Sequence, residues 1–288
     1  MKVFIDGEYG TTGLHLAELM SAETGVELLR IAESEKKDIE KRRGLLNSAD
    51  VVFLCLPDKA AREAAAMVEN DSTVIIDCST AHRTTWTYGF AELDESFREE
   101  IRNSNRITNP GCHATGFSAI IYPLVKKGII GSDEVIYSYA LTGYSGGGRA
   151  KIEEYEEGGT KGAAIYSLGM RHKHLAEMQK VCGLERPPMF SPVIVDIERG
   201  MLVSVMLERD ADMIYSELAG HYAGTRIEVR RGDGLEQLEM EDLVGTNDLV
   251  IYVSGHSGQA LVVGQLDNLG KGASGAAVQN YRVRMGLE

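Results

Sequence analysis

The sequence predicts an α/β protein: a doubly wound parallel sheet in the first part of the chain, followed by an α+β domain built on a more antiparallel sheet. Two observations carry this. Short β-branched runs alternate with helix-like stretches over residues 1–110, the pattern of strands joined by crossover helices. Runs such as VVFLCL contain no polar alternation, as expected of strands covered by helices on both faces. The length of 288 residues agrees with two domains at about 150 residues each.

In order, the first domain reads as a strand at VFID, a helix at LHLAELM, a strand at VELLRIA, a charged helix, a strand at ADVVFLCLP, a helix at KAAREAAAMVEN and a strand at STVIIDCS. Beyond RITNPGCHATGFSAIIYPLVKKG the texture changes. EVIYSYALTG, PVIVDIERGMLVSVMLE, TRIEVRRG and NDLVIYVSGHSGQALVVGQLDN are turn-linked and more alternating, which points to an antiparallel or mixed sheet. The boundary is expected near residue 110, giving a dinucleotide-binding domain over 1–110 and a catalytic and oligomerisation domain over 111–268. Ala and Val recur at helical spacing in the final KGASGAAVQNYRVRMG, so residues 269–288 are expected to return to the first domain as a helix.

Composition narrows the function. Thirty basic against 43 acidic residues leave a net charge of −13, which opposes binding to nucleic acid or to an anionic membrane surface. No apolar stretch approaches the ~18 residues of a membrane span, and MKVFIDG carries no charged leader ahead of an apolar run. The expectation is a soluble cytoplasmic protein. Cysteines at 55, 78, 112 and 182 have no CxxC spacing, which fits neither a disulfide framework nor a zinc knuckle.

Directly after the first strand comes Gly7-Glu8-Tyr9-Gly10-Thr11-Thr12-Gly13, followed by a helix. Glycines in that strand-turn-helix setting permit a tight turn and close backbone approach. The helix N-terminus then presents free N–H groups to a pyrophosphate. Gly7, Gly10, Thr11, Thr12 and Gly13 are therefore candidate cofactor contacts. Where a carboxylate would hold an unphosphorylated ribose, the second strand ends instead in Arg30, followed by Ser34, Lys36 and Lys37. A cation there suits a 2′-phosphate, so NADP is expected over NAD, with Arg30 and Ser34 near that phosphate; the alternative is a solvated strand end.

The sharpest element is Asn109-Pro110-Gly111-Cys112-His113-Ala114-Thr115, which leads into the apolar FSAIIYPLV. It places Cys112 at a helix N-terminus, where the macrodipole and unpaired N–H groups stabilise a thiolate and an oxyanion. Seven histidines, at 15, 82, 113, 172, 174, 221 and 256, compete to be its proton-transfer partner. His174 is favoured because apolar residues at 175, 178, 181 and 182 start a helix beside it. Glu177 at i+3 would then lie on the same face to orient the imidazole. No metal is expected, since His172 and His174 would point apart on a helix and no other ligands cluster in the sequence. Arg83 in STAHR and Arg149 in SGGGR are candidates to fork onto an anionic substrate, with Asn109 beside them.

Together, FIDGEYGTTG, DCSTAHR, NPGCHATG, RHKHLAEM and DNLGKGASGAAVQN resemble the N-acetyl-γ-glutamyl-phosphate reductase family in its shorter variety. More broadly the chain looks like the aspartate-semialdehyde and glyceraldehyde-phosphate dehydrogenase group, with its Rossmann-type N-terminal domain. The resemblance implies an arginine-biosynthesis enzyme that reduces the acyl phosphate N-acetylglutamyl 5-phosphate with NADPH. It further implies Cys112 as nucleophile, His174 as acid/base, dinucleotide contacts at Asn268, Gly270 and Lys271, and assembly as a homodimer or homotetramer. Ala176 stands where the family commonly has proline. Other readings of the residues are a reductase acting on a neighbouring acyl phosphate, a non-catalytic NADP sensor, or a cysteine hydrolase that leaves the glycine turn without a purpose.

Overall fold

In the computed structural model, which describes residues 1–158 and 162–288, the chain divides into two compact units, Met1–Pro110 with Ala273–Glu288, and Gly111–Gly272. The first unit runs β1 (Lys2–Asp6), α1 (Thr11–Ser21), β2 (Glu27–Leu29), α2 (Ile39–Ser48), β3 (Val51–Leu54), α3 (Asp58–Met67), β4 (Val74–Asp77), β5 (Thr87–Tyr88), α4 (Glu95–Asn103) and β6 (Arg106–Thr108). Its strands form one sheet in the order β2-β1-β3-β4-β6-β5, with every neighbouring pair parallel.

The unbroken apolar runs have the cause expected of them, because alternate residues of each strand enter different cores. Val3, Ile5, Val51, Phe53, Val74 and Ile76 pack with Leu16 and Met20 of α1. Phe4, Val52, Leu54 and Ile75 pack with Leu46 of α2 and with Ala61 and Ala64 of α3. Burying each large side chain contributes roughly 1.5–3 kcal/mol, so both faces reward continuous hydrophobicity. Winding reverses beside β1, with β2 on one side and β3 on the other, and such a switch point opens the crevice in which open α/β sheets bind ligands.

The second unit comprises α5 (Cys112–Lys126), β7 (Tyr137–Gly143), α6 (Arg149–Glu157), β8 (Ala164–Ile165), α7 (Leu175–Val181), β9 (Met189–Val195), β10 (Met201–Leu207), α8 (Ala211–His221), β11 (Ile227–Arg231), β12 (Leu249–His256) and β13 (Gln259–Leu266). These strands form a mixed sheet in the order β11-β12-β13-β10-β7-β9-β8. Helix α5 lies tightly on it: a methyl group built on Gly116 would stand 2.7 Å from Val203 Cγ2 of β10. Along β7 and β9, buried Ser138, Ala140 and Phe190 alternate with exposed Tyr137, Tyr139 and Met189.

Residues 270–274 form a short π-helical turn, after which α9 (Gly275–Arg284) belongs to the first unit. There Ala277, Val278 and Tyr281 join the core that contains β1 and α1. The sequence pattern does not reveal β5, α4, β6, α6, β8 or α8; β5, β6 and β8 span only two or three residues, too few for a periodicity to show. Among the described residues, no helix is long and apolar enough to cross a membrane.

Candidate active site

In the first unit the glycine turn is built as a backbone cradle. Gly7 has φ +97°, and a methyl group there would stand 2.2 Å from the Cys55 carbonyl oxygen at the end of β3. One on Gly13 would stand 2.2 Å from the Gly7 oxygen, whereas Gly10 meets only that same oxygen, at 3.5 Å. Gly10 caps α1 without any side-chain hydrogen bond, so Thr11, Thr12 and Gly13 open the helix with its first N–H groups free of a capping side chain from the N-cap. Ser34 lies on the short turn 33–35 that follows β2.

Arg30 differs from the simple expectation of a waiting cation. Its guanidinium is ion-paired with Glu8, a buried carboxylate of the glycine turn itself. Lys36 Nζ sits 5.5 Å from the centre of the Tyr9 ring and 3.0 Å from Glu33 Oε1.

At the end of β4, buried Asp77 accepts hydrogen bonds from Ser79 N and Oγ, both at 2.9 Å, and from His82 Nδ1 at 2.7 Å. The His82 ring stacks on Trp86 at 3.9 Å. Arg83, expected to face substrate, is buried; its Nε donates to the Asn109 carbonyl at 3.1 Å and its Nη2 to the Cys78 carbonyl at 3.4 Å. Asn109 is engaged in turn, donating from Nδ2 to Ala273 O at 2.8 Å and accepting from Asn280 Nδ2 at 3.0 Å. Both side chains brace the segment leading to Pro110, a role that needed Asn280, from a helix absent from the local motif.

The second unit assembles the catalytic candidates. Cys112 is the first residue of α5, behind the cap Gly111, and the helix has no side-chain cap. The Gly111 N–H instead donates to Glu177 Oε1 at 2.8 Å, and Glu177 is 1% exposed. The carboxylate that the sequence sets at i+3 from His174 thus holds the cap of the nucleophile's helix. His174 is the buried N-cap of α7, and the helix forms with Ala176 in its first turn.

Because that helix begins only at Leu175, His172 and His174 do not diverge as two residues on a helix would. Their ring centres are 4.7 Å apart, and His172 Nδ1 accepts the His174 N–H at 3.2 Å. His113, unassigned from sequence, comes to the same place. Its Nδ1 is 3.5 Å from Cys112 Sγ and its Nε2 is 3.4 Å from Tyr166 Oη. Burial pushes the His113 imidazole well below its ordinary pKa of 6.5, helped by nearby His172 and Lys173. Cys112 Sγ and one nitrogen each of His113 and His174 all lie within 4.8 Å of one another. By contrast, burial pushes the Cys182 thiol up to about 12, which makes it inert.

The last segment of this unit closes on the cysteine. Gly272 is so near that a methyl group on it would stand 2.7 Å from Cys112 Cβ. Buried Asp267 shapes the approach by pairing with Arg199 and accepting from Gly245 N at 2.8 Å and Leu269 N at 2.9 Å, while its carbonyl accepts Gly272 N–H at 2.9 Å. Asn268, expected as a dinucleotide contact, accepts Gly200 N–H at 2.8 Å and donates to Ser145 Oγ at 2.9 Å. Gly270 has the Thr246 carbonyl 2.1 Å from where a methyl group would be, and Lys271 is buried. Arg149 opens α6 on the surface, with Nε 2.9 Å from Glu153 Oε1.

The family described as "Semialdehyde dehydrogenase, dimerisation domain" matches residues 112–268. N-acetyl-gamma-glutamyl-phosphate reductase 2 of Pseudomonas putida is 42% identical over 99% of this chain and 96% of its own length. The protein of the same name from a Nostoc species is 42% identical over 99% and 97%. Among solved structures, aspartate semialdehyde dehydrogenase II from Vibrio cholerae superposes with a TM-score of 0.74 at 19% identity, covering 99% of this chain and 98% of that one; this likeness is one of fold. Full-length identity at that level, on a chain that sets a cysteine at an uncapped helix N-terminus, places the protein in the N-acetyl-γ-glutamyl-phosphate reductase family.

Proposed function

We propose that this chain reduces N-acetylglutamyl 5-phosphate to N-acetylglutamate 5-semialdehyde and phosphate, as a step of arginine biosynthesis, with NADPH as reductant and Cys112 as nucleophile. The observation that carries this reading is Cys112 at the uncapped start of α5, with a His174 nitrogen within 4.8 Å of its sulfur. The relatives that bear this name across the whole chain supply the substrate.

Cys112 attacks the acyl carbon as a thiolate, its proton passing to His174. The bond from that carbon to the phosphate oxygen breaks, phosphate leaves, and the acyl group remains on sulfur as a thioester. N–H groups of the first turn of α5 face the acyl oxygen and stabilise its negative charge, while Glu177 holds Gly111, and with it the turn, in register. His174 gives that proton to the oxygen of the reduced adduct and takes it back as the aldehyde departs and the Cys112 thiolate is restored.

The glycine turn fits the pyrophosphate of a dinucleotide, since Gly7 and Gly13 leave no room for side chains and the N-cap of α1 makes no side-chain hydrogen bond. Gly7, Gly10, Thr11, Thr12 and Gly13 would hold that group, with Arg30 and Ser34 toward a 2′-phosphate. NADPH, when bound, supplies the hydride that reduces the thioester. Arg149 is the surface arginine proposed to meet substrate; Arg83 and Asn109 act as positioning residues. The match to a dimerisation domain supports a homo-oligomer.

The test runs the reaction in reverse, with N-acetylglutamate semialdehyde, phosphate and NADP⁺. Phosphate-dependent NADPH formation is expected, abolished in Cys112→Ser without loss of melting temperature and reduced about 10²–10⁴-fold in His174→Asn. Substantial turnover by folded Cys112→Ser would overturn the covalent scheme, and silence of the wild type would overturn the substrate.

A further inference from the structure

We propose that Cys112, His113 and His174 form a site for a soft or borderline divalent cation, with zinc the best match, and that filling it reversibly blocks the nucleophile. The blocking rests on Cys112 being the nucleophile; the binding does not.

Thiolate sulfur and imidazole nitrogen are both donors that zinc takes. Zinc–sulfur and zinc–nitrogen bonds of about 2.3 and 2.05 Å set tetrahedral donor–donor edges of about 3.3–3.6 Å. Cys112 Sγ and His113 Nδ1, at 3.5 Å, already stand at such an edge. The His174 nitrogen, within 4.8 Å of both, needs to close by about an ångström, which a small side-chain rotation supplies. Two of the donors share the first turn of α5 and the third comes from the residue before α7, so no single helix must bend to gather them.

The surroundings suit a cation as well. Both imidazoles are 3% exposed, so packing holds the rings in place around the sulfur. With its proton on Nε2, His113 donates to Tyr166 Oη 3.4 Å away and turns Nδ1 to the sulfur, as outer partners of metal-bound histidines do. Cys112 itself is half-buried, which leaves a path in and a fourth position for water. His172 stays outside the set, its Nδ1 accepting the His174 N–H. On binding, the sulfur enters as thiolate and its proton passes to solvent; the thiolate lone pair needed for attack is then held by the metal.

The full chain is titrated with Co²⁺ in thiol-free buffer, read by the near-ultraviolet thiolate-to-cobalt band and the visible bands of tetrahedral cobalt. Separately, Zn²⁺ is tested as a block on Cys112 alkylation and on turnover, with a chelator to reverse it. One equivalent of cobalt should give both bands, and zinc should displace it. Cys112→Ser should lose the thiolate band. His113→Asn, or His113→Phe where the first does not fold, should weaken the zinc effect at least tenfold, read as the fractional inhibition of each variant's own metal-free turnover. No thiolate band in the wild type, or equal metal affinity in the His113 variant, overturns the site. A 1:1 thiolate band with turnover indifferent to bound zinc overturns the blocking, and with it the nucleophile assignment, while leaving the site standing.

Discussion

Glu177 and Gly111 are joined by a 2.8 Å hydrogen bond from backbone N–H to carboxylate, which ties α7 to the residue capping the nucleophile's helix. Removing the carboxylate in Glu177→Ala leaves a buried N–H without its acceptor, a loss of about 1–3 kcal/mol. Glu177→Gln keeps an acceptor oxygen at the same reach. Thermal melts and kcat should therefore fall clearly in the alanine variant and recover most of the way in the glutamine variant. Equal damage in both would show that the charge, rather than the hydrogen bond, is what matters.

Gly272 leaves no space beside the nucleophile, since a methyl group there would meet Cys112 Cβ at 2.7 Å and Cα at 3.3 Å. In Gly272→Ala one of the two must move. A displacement approaching an ångström at a reacting atom costs about 10²-fold, so kcat should drop by that order with a folded protein and slower alkylation of Cys112. An unchanged kcat would mean that the segment yields instead.

His113 makes stability depend on pH. Burial lowers its folded-state pKa well below 6.5, so the unfolded chain binds the proton first. Its contribution is complete above pH 6.5 and is lost as pH falls from there toward the lowered value, at up to about 1.4 kcal/mol per pH unit. Unfolding free energies between pH 7.5 and 5.5 should therefore fall more steeply for the wild type than for His113→Asn. Parallel slopes would remove His113 as the source.

Glu8 competes for Arg30, because the two are paired in the glycine turn. Glu8→Gln frees the guanidinium for a phosphate and removes a like charge from its neighbourhood. An exchange of about 1 kcal/mol corresponds to roughly fivefold. NADP⁺ should bind tighter by that order while NAD⁺ changes little; a parallel change in both would place Arg30 away from the 2′-phosphate.

Much of this protein was legible in its sequence. The alternation of apolar runs and amphipathic stretches determined the order of the main strands and helices. The pattern Gly7-x-x-Gly10-x-x-Gly13 marked a helix N-terminus after β1, and Asn109-Pro110-Gly111 ahead of an apolar period marked another at Cys112. These features depend on residues a few places apart, whose backbone preferences act locally.

Only the tertiary structure decided which buried polar group met which partner. Glu177 met the Gly111 N–H, Arg83 turned to the carbonyls of Asn109 and Cys78, Arg30 was taken by Glu8, and Gly272 came to rest against Cys112. A carboxylate or guanidinium removed from water must be paired wherever packing leaves it. That pairing is set by contacts between segments far apart in the chain, which no local spacing encodes.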